Sequence, residues 1–115
     1  MDRIVFTCEH AGAKIPTPLK STLAIPSTVL KSHRGSDFGA LRVAKKLAQD
    51  LNAPLFFQET TRLVLDYNRS LHNPRIWSSY SKGLPEKQKK MLIQEYQEYR
   101  TQVAKTIQQK SEHCV

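Results

Sequence analysis

Two short apolar runs and a segment of helical period define the first half of the chain. Residues 4–8 and 55–58 are short, apolar and rich in β-branched or aromatic side chains, a pattern typical of buried strands. Between them, up to about residue 52, apolar side chains recur at helical spacing, at Leu41, Ala44, Leu47, Ala48 and Leu51. A helix between two apolar strands favours a βαβ crossover with a parallel strand pair.

A third apolar run, residues 61–70, is also predicted to form a strand, and its carboxyl end carries polar and ionic groups. Asp66, Asn68 and Arg69 lie at that end, and Arg62 precedes the apolar middle. Ligands of open α/β sheets bind beyond the carboxyl ends of strands, and an arginine fork suits a carboxylate or phosphate. The pattern therefore indicates either an anion-binding site or a structural Asp–Arg pair that closes a corner.

The second half of the chain is predicted to be a loop and a long helix. Residues 85–111 have a buried stripe at helical spacing, at Leu92, Tyr96, Tyr99, Val103 and Ile107. Residues 13–32 and 71–85 have no clear period, and the later loop forms either a substrate wall or a packed surface loop. Residues 112–115 look like the start of another strand. We therefore expect residues 1–115 to be one truncated α/β domain with about three strands.

Two residues next to predicted element ends are candidates for metal binding or acid–base chemistry. His10 follows the first strand and precedes Ala11 and Gly12, whose small size lets the backbone approach another group closely. This histidine is either functional or a satisfied structural one. Asp37 precedes the first helix, where Ser36 or Asp37 suits the N-cap position, and a cap needs no other function.

Composition limits the classes of function. A chain of 115 residues is long enough for one small domain with a core, and no apolar run approaches the roughly 20 residues of a membrane span. Cys8 and Cys114 form no disulfide framework, so we expect a cytoplasmic protein with reduced thiols. The net charge is +8, but the lysines are spread along the chain. That spread argues against a nucleic-acid partner and favours a mild attraction for anionic substrates.

Three ordered blocks resemble the N-formylglutamate amidohydrolase family. They are Thr7-Cys8-Glu9-His10-Ala11-Gly12 with Pro16, then His33-Arg34-Gly35-Ser36-Asp37-Phe38-Gly39-Ala40, then Arg62-Leu63-Val64-Leu65-Asp66-Tyr67-Asn68-Arg69. The resemblance implies a fold similar to zinc carboxypeptidases and aspartoacylase-like deacylases, a partial three-layer αβα arrangement with a short, mostly parallel sheet. It also implies a zinc-dependent hydrolase that cleaves an N-acyl amino acid, such as N-formyl-L-glutamate, into formate and glutamate.

The resemblance further implies a metal site. His10 and Asp37 are expected to bind zinc, and Glu9 is a further candidate ligand. A catalytic zinc usually has three protein ligands and an open position for water. Family members are longer, and their later half carries another histidine and the general base. We therefore expect this chain, as the amino-terminal half of such a domain, to bind zinc poorly by itself.

The same resemblance implies contacts to a small-molecule N-acyl amino acid. Arg62 and Asp66 are expected to be catalytic, with Arg62 also touching the substrate carboxylate and Asp66 holding Arg69. Asn68 and Arg69 are expected to bind that carboxylate, and His33 to orient Asp37 or contact substrate. The alternative is a non-catalytic remnant that keeps only the anion-binding site. We expect neither a nucleic-acid nor a membrane partner, and the sequence leaves the oligomeric state open.

Overall fold

The helices and strands of the chain confirm a mixed α/β architecture. The computed structural model describes residues 4–32, 35, 37 and 39–112. Within these residues the elements follow the order β1 (Phe6–Cys8), α1 (Ser27–Leu30), α2 (Ala40–Asp50), β2 (Leu55–Phe57) and α3 (Glu86–Glu112). Two 3₁₀ helices, Thr17–Leu19 and Pro74–Ile76, lie in the loops between them.

Strands β1 and β2 pair in parallel, as the βαβ pattern predicts. Phe6 lies opposite Leu55 at the start of the pair. Helix α2 connects the strands, packs against both and buries Ala44 and Ala48. Leu47, which was predicted to belong to the buried stripe, is 43% exposed. The small alanines therefore form the contact face of α2, because they let the helix approach the sheet closely.

Residues 61–70 do not form the predicted third strand. Thr61 begins a turn instead: its carbonyl accepts a hydrogen bond from the Val64 N–H at 3.0 Å, and its hydroxyl accepts one from the Leu63 N–H at 3.3 Å. Leu63, Val64 and Leu65 are all buried. Successive side chains of a strand would point to opposite faces. The strand prediction was wrong because this apolar run enters the core from a turn.

The hydrophobic core lies between that turn, the loops and α3. Its buried members are Leu19, Leu23, Ile25, Leu63, Val64, Leu65, Tyr67, Ile76, Leu84, Leu92 and Tyr96. Ile76 and Leu84 come from the loop 71–85, so this loop is packed into the core, which was one of its two predicted roles. Little of the core comes from the sheet, since both strands have only three residues.

Helix α2 begins differently from the prediction. Gly39 occupies its N-cap position with φ of 86°, a backbone conformation that favours glycine. The side chain of Asp37 makes no cap hydrogen bond to the helix, and its backbone carbonyl accepts from the Ala40 N–H at 3.2 Å. The predicted alternative cap, Ser36, lies outside the described residues. Asp37 is therefore not engaged as a helix cap.

Helix α3 confirms the predicted long helix and extends slightly further. Its last residue is Glu112, which was predicted to begin another strand and instead belongs to the helix. Residues 113–115, the rest of that predicted strand, lie outside the described residues. The predicted stripe is buried at Leu92 and Tyr96, whereas Ile107 is 50% exposed. Although α3 has 27 residues, no helix among the described residues has the length and apolarity that crossing a membrane requires.

Candidate active site

Hydrogen bonds to backbone carbonyls bring the three sequence blocks together beside the end of β1. The strand ends at Cys8, and His10 lies in the turn directly after it. The Asp37 N–H donates to the His10 carbonyl at 3.1 Å, which ties the segment before α2 to this turn. The buried hydroxyl of Thr61 donates to the Gly35 carbonyl at 2.7 Å and ties the third block to the same segment.

Asp66 stabilises a second turn through both its backbone and its side chain. Its N–H donates to the Ile76 carbonyl at 2.9 Å, and its carbonyl accepts from the Arg69 N–H at 3.1 Å. One carboxylate oxygen, Oδ1, accepts from the Asn68 N–H at 3.0 Å, and the other, Oδ2, accepts from Arg69 Nε at 3.1 Å. The carboxylate of Asp66 is therefore held in one orientation.

His10 lies between two carboxylates. Its Nε2 is 2.6 Å from Asp66 Oδ1, and its Nδ1 is 3.2 Å from Asp37 Oδ2. The side chains of His10 and Asp66 are 11% and 12% exposed, whereas that of Asp37 is 51% exposed. The cluster therefore has a shielded side at Asp66 and an open side at Asp37.

Arg62 completes the open side of this cluster. Its Nη2 donates to Asp37 Oδ1 at 3.2 Å, and its Nη1 lies 3.3 Å from His10 Nδ1. A charged imidazole donates from Nδ1 to Asp37, while a ring protonated only at Nε2 accepts from Arg62 at Nδ1. Arg62 and Asp37 thus offer His10 a partner in either protonation state.

The charges of the cluster shift the pKa values of its members. The hydrogen bond with Asp66 raises the pKa of His10 above its ordinary value, and this effect outweighs burial of the ring. Burial opposes the charged form of both carboxyls, but hydrogen bonds from His10 and the Asn68 N–H lower the pKa of Asp66. Bonds from Arg62 and His10 likewise lower the pKa of Asp37. These shifts favour the charged form of each of the three groups over its neutral form.

Asn68 and Arg69, here called the carboxylate clamp, keep donors available for a ligand. The Arg69 side chain is 39% exposed, and only its Nε has a partner within the described part of the chain. The exposed side-chain amide of Asn68 makes no hydrogen bond to any residue that the structure describes. An arginine whose Nε is held by a carboxylate still presents its two terminal NH₂ groups to an anion.

Two other predicted site residues, Glu9 and His33, are not among the residues of this cluster that the structure describes. Glu9 accepts hydrogen bonds from the Thr7 hydroxyl at 3.1 Å and the Tyr99 hydroxyl at 2.7 Å. Glu9 therefore has its own partners, and none of them is His10 or Asp37. His33 lies outside the described residues, so its role stays a prediction.

Two cavities border the described residues near the third block, and neither has His10, Asp37, Arg62 or Asp66 in its wall. A cavity of about 350 Å³ borders Asn68 and has Glu9, Tyr99 and Arg100 in its wall. A larger cavity of about 670 Å³ is lined by Lys14 and other residues that include none of the candidate site residues. The smaller cavity adjoins Asn68 of the carboxylate clamp and has both signs of charge in its wall, whereas Arg69 is not among its lining residues.

The donor set fits a zinc ion in part. Two ligands of a tetrahedral zinc ion with bonds of 2.0–2.1 Å lie about 3.3 Å apart, and His10 Nδ1 and Asp37 Oδ2 are 3.2 Å apart. Within the described ranges, no group of three or more His, Cys, Asp or Glu side chains is arranged to hold a metal ion. The pair can therefore supply two ligands, and a third has to come from elsewhere.

Sequence reasoning missed the contribution of α3 to this region. Tyr96 and Arg100 both hydrogen-bond to the backbone of the turn that carries the clamp. The helical period identifies Tyr96 only as a core residue, and nothing in the sequence distinguishes Arg100 from other surface arginines. Their contacts depend on how α3 packs, which periodicity does not specify.

Comparison with known proteins agrees with the arrangement of the three blocks. Residues 2–114 match the N-formylglutamate amidohydrolase family. The chain belongs to this family.

A solved structure has the same fold. Gene product Atu2144 from Agrobacterium tumefaciens is similar with a TM-score of 0.82 and 31% sequence identity. The likeness covers 94% of this chain and 46% of that protein, so the chain spans less than half of its length. No curated protein matches the chain.

Proposed function

We propose that the chain carries part of a metal-dependent hydrolase site that cleaves the amide bond of an N-acyl amino acid, such as N-formyl-L-glutamate. Membership of the N-formylglutamate amidohydrolase family supports a hydrolase. One observation carries the proposal: His10, Asp37, Arg62 and Asp66 form a single hydrogen-bonded cluster. These four residues come from three separate blocks of the sequence. A merely structural ion pair would need only two residues.

The carboxylate clamp would bind the amino-acid part of the substrate. Arg69 offers its terminal N–H groups and Asn68 its side-chain amide, while Asp66 keeps the guanidinium in place through Nε. Charge-assisted hydrogen bonds of this kind contribute roughly 1.5–3 kcal/mol each. In this proposal the clamp selects substrates that carry a carboxylate.

His10 and Asp37 would hold the metal on the open side of the cluster. Zinc, when bound, would lower the pKa of its water to about 7 and polarise the acyl carbonyl. Asp66 would orient the His10 ring through Nε2, as a carboxylate behind a metal-binding histidine does. Arg62 would place positive charge beside the position where the acyl oxygen gains negative charge.

The test separates substrate binding from turnover. Calorimetry would measure the affinity of the chain for N-formyl-L-glutamate and for its carboxylate-free diamide, with Arg69→Ala as the variant. We expect Arg69→Ala to weaken binding of N-formyl-L-glutamate by roughly 10- to 100-fold, from the magnitude of one charged hydrogen bond. Binding of the diamide should change little. The control is Arg42→Ala, since Arg42 is an exposed arginine on α2.

Formate release, measured with added zinc and with a chelator, tests the chemistry. Zinc-dependent release supports the hydrolase proposal. If Arg69→Ala weakens binding of N-formyl-L-glutamate and of the diamide by the same factor, that result counts against the clamp.

The second candidate is a binding module that retains the clamp but does not catalyse. It is favoured by the lack of a three-ligand metal group among the described residues. Tight binding of N-formyl-L-glutamate without formate release, at saturating zinc, both by this chain and by a longer form that also carries the later half, would support it.

A further inference from the structure

The turn that carries Asn68 and Arg69 is held on one side by helix α3. The Arg69 carbonyl accepts hydrogen bonds from the Tyr96 hydroxyl at 2.6 Å and from Arg100 Nη2 at 3.1 Å. The same Nη2 donates to the Tyr67 carbonyl at 3.2 Å. The carbonyls on either side of Asn68 are therefore both bound by one helix.

The side chains that make these contacts are themselves fixed. The Tyr67 ring is 1% exposed and lies 5.6 Å from the Tyr96 ring and 5.5 Å from the Tyr99 ring, centroid to centroid. The Arg100 guanidinium lies 5.0 Å from the centroid of the Tyr96 ring, a favourable cation–π distance. An arginine suits this position because one terminal NH₂ group donates to two carbonyls while the planar guanidinium lies over a ring.

We infer that Tyr96 and Arg100 are positioning residues for the carboxylate clamp. They fix the backbone from which the Arg69 side chain projects, whereas Asp66 fixes the guanidinium through Nε. This inference rests on the proposed function, in which Arg69 binds the substrate carboxylate. An arginine whose backbone carbonyl and side-chain Nε are both held loses less conformational freedom when its guanidinium binds a ligand. In this role neither Tyr96 nor Arg100 needs to touch the substrate.

The first experiment measures whether the two residues act through Arg69. Tyr96→Phe removes one donor to the Arg69 carbonyl and keeps the ring, and Arg100→Lys removes the planar guanidinium with its terminal NH₂ donor and keeps the charge. Each variant should weaken binding of N-formyl-L-glutamate by roughly 3- to 10-fold, the usual effect of one lost hydrogen bond, with little change for the diamide. In an Arg69→Ala background neither change should weaken binding further. The same fold-loss in both backgrounds would overturn the inference.

The second experiment needs no ligand and separates this inference from the proposed function. Nitrogen-15 spectra of the ligand-free chain report how fast the Arg69 Nε–H exchanges with solvent. Exchange should be faster in Tyr96→Phe and Arg100→Lys than in Tyr80→Phe, a matched control whose ring packs against the same core. Equal exchange in all three variants would refute positioning. If the wild type does not bind N-formyl-L-glutamate, the proposed function fails, and this exchange rate still decides the positioning role.

Discussion

At the scale of single residues, His10 shows how the position of a side chain in the fold shifts its pKa. The ring contacts a carboxylate at each nitrogen, Asp66 at Nε2 and Asp37 at Nδ1. The hydrogen bond with Asp66 is the largest cause of its raised pKa. Asp66 in turn holds the Nε of Arg69. One buried carboxylate thus connects the candidate metal ligand to the carboxylate clamp.

Replacing Asp66 by asparagine should lower the pKa of His10. Asp66→Asn keeps the size of the side chain and removes the charge that favours the imidazolium, so the titration midpoint of the ring should fall. Proton NMR of the His10 ring with a chelator present measures it. Asp50→Asn, which removes an exposed carboxylate paired with Lys46 on α2, is the control and should leave the midpoint in place. An unchanged midpoint in Asp66→Asn would contradict the assigned cause.

The same pKa shift fixes the sign of a pH effect on stability. Because the pKa of His10 is raised in the folded state, its contribution to the free energy of unfolding is fully present below the unfolded-state pKa of about 6.5. That contribution is lost as the pH rises through the folded-state pKa. The stability difference between wild type and His10→Gln should therefore shrink with rising pH. The lowered pKa of Asp66 sets the acid limit, because its contribution is lost as pH falls through that value.

At the scale of elements, the close approach of two chain segments extends the parallel pair beyond the strands. The Ala11 N–H donates to the Gln58 carbonyl at 3.1 Å, and the Lys14 N–H donates to the Glu59 carbonyl at 3.0 Å. A side chain on Gly12 would place Cβ 2.7 Å from the Glu59 carbonyl oxygen. The sequence argument that small residues after His10 permit a close approach therefore corresponds to a contact between backbones.

Alanine at position 12 should destabilise the fold. We expect Gly12→Ala to cost about 1–3 kcal/mol, the usual range for overpacking, measured by urea unfolding. Gly83→Ala is the matched control, because a Cβ there meets nothing within 4 Å. Both substitutions reduce the freedom of the unfolded chain by a similar amount, so their difference reports the clash. Equal stability of the two variants would show that the two segments separate readily.

At the scale of the whole molecule, the core lies under the turn at residues 61–67 and α3 rather than on the sheet. Leu65 is fully buried, while Val43 and Leu47 on α2 are 59% and 43% exposed. Helix α2 therefore contributes little apolar burial on its outer face. The turn that holds Asp66 is built on the best-packed part of the molecule, which suits a site that needs fixed geometry.

A pair of leucine substitutions tests where the stability lies. Leu65→Ala should destabilise the protein by about 2–5 kcal/mol, as cavities in packed cores do, measured by denaturant unfolding. Leu47→Ala removes the same atoms from an exposed helix position and should cost far less. If the two variants were equally destabilised, the turn would not be the centre of the core.

The sequence by itself determined the local elements and the candidate chemistry. Short apolar runs predicted β1 and β2, and helical spacing of apolar residues predicted α2 and α3, because that spacing depends on which face of a helix is buried. The three ordered blocks indicated the family and named the residues that the cluster contains. These signals are local, so they can be read without knowing how the chain packs.

Only the tertiary structure decided how those pieces meet. The run at residues 61–70 has a strand-like composition, yet its hydrogen bonds are those of a turn, and its consecutive apolar side chains Leu63, Val64 and Leu65 all enter the core. From its position in the sequence Asp37 suits a helix cap, and its side chain instead contacts His10 and Arg62. Contacts of Tyr96 and Arg100 join positions 27 to 33 residues apart. Such pairings depend on packing across the whole chain, and local propensity does not contain them.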